Sequence, residues 1–209
     1  MKQITTAVVL FIFNRPETTK MVFDEIARVR PQRLYVISDG ARPIREEEAL
    51  LVEQCREIAS GVDWPCEVRT KFSLENLGCQ KSIVAGLDWV FSEEEEAIIL
   101  EDDCVPTLGF FAFCEEMLQR YREDNRIGSI SGSNLEDISS LQTELSYWFS
   151  CYPEVWGWAT WKRAWSKYEV DLSKFRRSSR QELVNRIVKS RTSKRYWQLR
   201  FDSVASGKV

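Results

Sequence analysis

The stretch "AVVLFIFNRPETT", residues 7–19, decides the fold class. Seven apolar residues run without interruption from Ala7 to Phe13, and a polar turn and then Pro16 follow. An apolar run of this length is typical of a strand that is buried on both faces of a sheet. Proline is favoured in the first turn of a helix, so the same stretch predicts a helix directly after the strand. A buried strand followed at once by a helix is the unit from which α/β folds are built.

The alternation of strand and helix continues along the chain. The other strand-like runs are Arg33–Ser38, Cys66–Phe72, Ala97–Leu100 and Ile127–Ser131. The helix-like segments lie near 17–29, 45–60, 78–92 and 108–124. We therefore predict an α/β fold with a mostly parallel twisted sheet and helices on both of its faces. We assign residues 1–135 to this α/β domain. We assign residues 136–209 to an aromatic segment and to amphipathic helices, near 162–168 and 180–205, of the same domain.

The composition limits the chemistry that is open to this chain. Its 209 residues include no histidine, and none of its six cysteines forms a C-x-x-C pair. Catalysis by Ser-His-Asp or Cys-His groups is therefore excluded, and zinc binding nearly so. We predict that any general base or metal ligand is a carboxylate. The cysteine pattern is that of reduced thiols, and no apolar run reaches 18 residues, so we expect a cytoplasmic protein without a transmembrane segment.

The C-terminal segment is strongly basic. The last 39 residues hold 11 Lys and Arg against 3 Asp and Glu. Such segments are most often solvated helix faces, and an anionic partner is the alternative. If the segment does bind an anionic partner, we expect a peripheral contact with a membrane surface. We expect no nucleic-acid partner.

The stretch "AIILEDDCVP", residues 97–106, places three carboxylates side by side at the end of a predicted strand. Glu101, Asp102 and Asp103 repel one another unless water or a cation relieves the repulsion. Mg²⁺ or Mn²⁺ would take one or two carboxylates and complete its shell with water and substrate phosphates. A solvated acidic turn is the alternative. The ion is favoured because ligands of α/β proteins bind beyond the carboxyl ends of strands, where these residues lie.

Polar residues also follow the other predicted strands. Arg15 stands at the start of a helix, where a guanidinium and free N–H groups suit a phosphate, although plain helix initiation explains the turn equally well. Asp39 in "ISDGARP" could accept a hydrogen bond from a nucleobase or ribose, or simply form an Asp-Gly turn. Asn76 precedes the third helix and Lys81 lies in its first turn. A lysine is unfavourable there unless an anionic ligand or full solvation compensates.

Four motifs carry a family resemblance. In their order and spacing, "FNRPETT", "SDG", "EDDCVPTLGFFAFCEEML" and "GWATWKRAW" resemble glycosyltransferases of the GT-A fold. The chain is most similar to the inverting N-acetylglucosaminyltransferase I type, with its E-D-D motif, and to related bacterial sugar transferases. The resemblance covers most of residues 4–170. It implies a Rossmann-like fold and a metal-dependent, inverting transfer of a hexosyl or N-acetylhexosaminyl group from a UDP-sugar to a hydroxyl of a glycan or other acceptor.

The resemblance also implies roles for single residues. Asp103 matches the carboxylate that binds Mn²⁺, Asp102 the one near the ribose and the water shell of the metal, and Glu101 the one facing the donor sugar. Arg15 matches an arginine near the diphosphate, and Asp39 an aspartate that reads uracil.

The remaining site residues follow from looser matches. Asn76 and Lys81 fall in the region that lines the donor. Trp156, Gly157 and Trp158 resemble the acceptor-side loop of the family, where aromatic faces stack on sugar rings, although core packing is the alternative.

The catalytic base has no matching residue. We expect it beyond Val209, with these 209 residues being a truncated piece, and Asp202 and Glu154 are the candidates within the chain. A nucleotide- or glycan-binding module with a decayed active site is the alternative to an enzyme.

Overall fold

The computed structural model describes residues 3–43, 45–133, 145–170, 180–188 and 190–205. The chain divides into two compact units. The first comprises Met1–Trp148 and Tyr152–Ser166, and the second comprises Phe149–Cys151 and Lys167–Val209.

The first unit carries the alternating strands and helices. In chain order its elements are β1 (Ala7–Ile12), α1 (Pro16–Val29), β2 (Arg33–Ser38), α2 (Glu46–Ser60), β3 (Glu67–Phe72), α3 (Cys79–Glu93), β4 (Glu96–Glu101), α4 (Leu108–Arg120), β5 (Ser129–Ser131), β6 (Trp158–Trp161) and α5 (Lys162–Trp165). The five predicted strands and first four predicted helices are all present, and the strand predicted over 127–131 is shorter. The sequence analysis did not predict β6.

The strands form one sheet in the order β3-β2-β1-β4-β6-β5. The first four are parallel, and β6 runs antiparallel to β4 and β5 on either side of it. The predicted α/β class with a mostly parallel sheet is therefore confirmed. The missed strand β6 has only four residues, which is too short for a period of two to be visible in the sequence.

Side chains of β1 alternate between two apolar cores. Val8, Leu10 and Ile12 lie in the core formed with α1, α2 and α4. The side chains between them pack with α3 on the other face of the sheet. This confirms that helices cover both faces, and it explains why β1 is apolar at every position. Gly86 lets α3 approach closely, since a Cβ there would lie 2.7 Å from Cε1 of Phe11.

The strand order reverses at β1, and this reversal positions the site. The chain proceeds outward from β1 through β2 to β3, and then returns to place β4 on the opposite side of β1. Register pairs Phe11 of β1 with Glu101 of β4. The carboxyl ends of β1 and β4 therefore lie side by side, and crevices at such reversals are where open α/β sheets bind ligands.

The second unit contains two helices, α6 (Arg180–Ile187) and α7 (Arg191–Ala205). The helical pattern over 180–205 is thus interrupted between Ile187 and Arg191. No helix in the described parts of either unit is long and apolar enough to cross a membrane.

Candidate functional site

Three buried carboxylates tie together the loops at the carboxyl edge of the sheet. Asp39, Glu48 and Asp102 are 7%, 3% and 6% exposed. Among the acidic side chains whose burial the structure describes, these three are the buried ones. Burying a carboxylate is costly unless hydrogen bonds or a charge partner compensate, and each of the three accepts such bonds from a loop after a neighbouring strand.

Asp102 joins the ends of β1 and β4. Its Oδ2 accepts a hydrogen bond of 2.9 Å from the backbone N–H of Phe13, and its Oδ1 lies 3.4 Å from Nη1 of Arg15. The same Nη1 forms an ion pair with Oδ2 of Asp103. The side chains of Arg15 and Asp103 are 55% and 50% exposed, whereas Asp102 is buried beneath them. The predicted phosphate and metal residues therefore meet in one crevice.

Two carboxylates of this crevice, Glu101 and Asp102, have raised pKa values. Burial raises the pKa of Asp102, and the Phe13 N–H and the Arg15 guanidinium offset part of that rise. The pKa of Glu101 is also raised, first by burial and then by the charges of Asp103 and Asp102. In both cases burial is the first cause, and a nearby positive charge would favour the ionised form.

A divalent ion at this crevice would need ligands from a substrate as well as from the protein. In the described part of the chain, no group of three or more His, Cys, Asp or Glu could hold a metal ion. One oxygen of Asp102 already accepts a hydrogen bond from the Phe13 N–H, whereas the carboxylate of Asp103 is half exposed. Mg²⁺ and Mn²⁺ accept one protein carboxylate when phosphates and water supply the rest, so Asp103 suits them without an all-protein cage.

Glu48 joins the loops that follow β1 and β2. Its carboxylate accepts hydrogen bonds from Nδ2 of Asn14 at 2.9 Å, from the backbone N–H of Arg42 at 2.8 Å and from Nε of Arg42 at 3.0 Å, and it also contacts Arg42 Nη2. These bonds from Arg42, with that from Asn14, lower the pKa of Glu48 to about 2. The guanidinium carbon of Arg42 lies 5.4 Å from the centre of the Phe13 ring. The sequence analysis missed Glu48, because it stands in a run of three glutamates that suggests a solvated helix start.

Asp39 joins the loops that follow β2 and β3. Its Oδ1 accepts from the backbone N–H groups of Gly40 and Leu77 at 2.9 and 2.8 Å, and its Oδ2 accepts from that of Gly78 at 2.9 Å and from Nδ2 of Asn76 at 3.2 Å. Asn76 also donates to the Gly40 carbonyl at 2.7 Å. The contact of Asp39 with a base stays a prediction, and a ligand would have to share or replace one of these donors.

Two glycines allow the loops that follow β2 and β3 to take these positions. A Cβ on Gly40 would lie 2.5 Å from the carbonyl carbon of Glu75, so this position needs glycine for the loops to approach. Gly78 precedes α3 with a φ of 81°, which glycine adopts without strain. Lys81 is exposed in the first turn of α3, and its contact with an anionic ligand stays a prediction.

A cavity of about 630 Å³ lies beside the carboxylate triplet. Asp103, Val105, Phe110, Ser133 and Trp156 contribute to its lining, together with other residues of 100–107, 132 and 157. Two predicted acceptor-side residues, Trp156 and Gly157, thus share a cavity with the predicted metal ligand.

The structure does not bring the third acceptor-side residue to this cavity. Trp158 packs against the apolar core on the α3 face of the sheet. Gly157 instead approaches Phe110 on the other face of the sheet. Its φ of 71° is one that glycine adopts without strain, which explains why a glycine stands at this position. Of the candidate bases, Glu154 lies two residues before Trp156, and Asp202 lies on α7 in the second unit.

Comparisons with known proteins identify no family for the chain. Neither a protein-family model nor a curated protein matches its sequence. Among solved structures, it is similar to the mannosyltransferase PcManGT from Pyrobaculum calidifontis, determined in complex with GDP-Man and Mn²⁺. The identity is 14% and the TM-score is 0.42, and the match covers 63% of this chain and 36% of that chain.

Proposed function

We propose that this chain is a metal-dependent glycosyltransferase, which transfers a sugar from a nucleotide diphosphate donor to an acceptor hydroxyl. The observation that carries the proposal is the meeting of Arg15 with Asp102 and Asp103 where the strand order reverses. A guanidinium suited to phosphate and a half-exposed carboxylate thus lie at the carboxyl edge of the sheet, where α/β proteins bind their ligands. The motif resemblance described above points to the same chemistry.

Each residue of the crevice has a distinct role in this proposal. Arg15 binds the diphosphate through its guanidinium, and Asp103 binds the divalent ion. Asp102 is buried and hydrogen-bonded to Phe13, so its role is to hold the turn that carries Arg15. When bound, the ion would neutralise charge on the leaving diphosphate.

The finer assignment is an inverting transfer from a UDP-sugar. It rests on the resemblance to the N-acetylglucosaminyltransferase I type, in which the acceptor hydroxyl is deprotonated by a carboxylate. The cavity beside Asp103 would take the acceptor or the donor sugar, with Trp156 as a stacking surface. We assign the base to no described residue.

A non-catalytic binding module is the second candidate. One observation favours it: among the described residues that line the cavity, Asp103 is the one carboxylate, and it is already assigned to the metal. Such a module would bind a nucleotide or nucleotide sugar without cleaving it.

Calorimetric titration of UDP and GDP, each with and without Mn²⁺, tests the proposal. We expect binding that depends on Mn²⁺ and is lost in Asp103→Ala but kept in Asp63→Ala, which removes an exposed carboxylate elsewhere. Absence of binding by the wild type, or equal binding by Asp103→Ala, would contradict the proposed site. Release of UDP or GDP from a nucleotide sugar would then separate a transferase from a binding module.

A further inference from the structure

We propose that Glu48 is a positioning residue for the nucleotide site, fixing the turn after β1 so that Arg15 can meet the diphosphate. This inference rests on the proposed function. Glu48 lies on α2, far along the chain from the carboxylate triplet, and neither the motifs nor the family resemblance includes it.

The contacts of Glu48 are those of a buried anion held for its charge. The residue is 3% exposed, and its two oxygens receive donors from Asn14 and Arg42 in two different loops. A glutamine has the same shape but accepts at only one oxygen, and its amide N–H groups would face the donors of Arg42. Glu48→Gln therefore breaks the arrangement with little change in volume.

The turn from Phe13 to Arg15 is held from two sides. On one side, the Phe13 N–H donates to Asp102 at 2.9 Å. On the other, Asn14 donates to Glu48, and Arg42 lies over the Phe13 ring. Releasing the Glu48 side would leave Asn14, the residue before Arg15, without this anchor.

Arg15 depends on this backbone because its side chain is little confined. It is 55% exposed, and its guanidinium pairs with the carboxylates of Asp102 and Asp103. Because few contacts orient this side chain, the turn decides where it starts, and after a shift fewer of its rotamers would reach the phosphate, so that binding costs more entropy. Glu48 would thus act on phosphate affinity without touching the ligand.

The rival explanation is that Glu48 only stabilises the fold. A double-mutant cycle separates the two, because residues acting through one another show non-additive losses, whereas independent residues add. We would titrate UDP and GDP with Mn²⁺ into the wild type, Glu48→Gln, Arg15→Ala and the double variant. Glu47→Gln is the matched control, since Glu47 is the exposed preceding residue.

We expect Glu48→Gln to weaken the better-bound nucleotide about tenfold, the effect of one misplaced charged hydrogen bond. In the Arg15→Ala background the same substitution should change affinity less than about twofold, the usual limit of additivity error. Glu47→Gln should bind like the wild type. If Glu48→Gln does not fold, Asn14→Ala removes one donor to the same carboxylate and should give the same non-additive loss.

Three results would overturn the inference. Wild-type affinity in folded Glu48→Gln would overturn it while leaving the proposed function intact, and so would equal losses with and without Arg15. A wild type that binds neither UDP nor GDP with Mn²⁺ would overturn the proposed function, and the inference with it.

Discussion

Removing the Arg15 guanidinium should change metal affinity and nucleotide affinity in opposite directions. In the structure this cation neutralises Asp103 and lies 3.4 Å from Asp102. A divalent ion on Asp103 would compete with it for the same carboxylate. A diphosphate would in turn offer Arg15 a new partner, so the arginine would oppose metal alone and favour metal with nucleotide.

The size of each effect follows from exposure and charge. Two unit charges about 4 Å apart interact by about 1 kcal/mol in a water-like environment, which suits a pair that is half exposed. Arg15→Ala should therefore tighten Mn²⁺ binding about fivefold in the absence of nucleotide. A lost hydrogen bond to a charged phosphate costs about 1.5–3 kcal/mol, so binding of UDP or GDP with Mn²⁺ should weaken about 10- to 100-fold.

Free Mn²⁺ can be measured by its electron paramagnetic resonance signal, and nucleotide binding by calorimetry. Arg28→Ala is the matched control, because Arg28 is 56% exposed on α1 and pairs with Glu25. Thermal unfolding should shift by less than about 4 °C in either variant, since an exposed ion pair contributes at most about 1 kcal/mol. Weaker binding of both Mn²⁺ and nucleotide in Arg15→Ala would refute the competition between Arg15 and the metal.

Three further predictions concern the scaffold and the metal. Asp103→Ala should lose Mn²⁺-dependent nucleotide binding without a lower melting temperature, because the substitution also relieves repulsion; a large fall in melting temperature would show that Asp103 is a structural residue. Gly40→Ala should lower the free energy of unfolding by about 1–3 kcal/mol in a urea titration, as its Cβ would lie 2.5 Å from the Glu75 carbonyl carbon; an unchanged midpoint would contradict that crowding. The pKa of Glu48 is lowered from 4.5 to about 2, so its stabilisation is complete above about pH 4.5 and disappears as the pH falls towards 2. The stability difference between the wild type and Glu48→Gln should therefore shrink over that range, and a difference that is constant with pH would contradict the ion pair.

Much of the fold was predictable because it depends on local patterns. A strand buried on both faces must be apolar where it is buried, and β1 and the four central residues of β4 meet that condition. Pro16 marks the start of α1 for an equally local reason. The polar residues that directly follow β1 and β4 could be recognised as candidates because ligand sites of α/β sheets lie at strand ends.

The contacts within the site depended on the strand order, which a single sequence does not reveal. Arg15 reaches Asp102 because β4 lies directly beside β1, and their separation along the chain gives no sign of this. Glu48 has the same local pattern as its neighbours in the "EEE" run, yet the packing of α2 against the sheet buries it under two loops. The sequence therefore determined most of the strands and helices, although not β6, and it determined where charge follows a strand. The tertiary structure decided which carboxylates are buried and what they bind, because burial and pairing arise only when separate loops meet at one edge of the sheet.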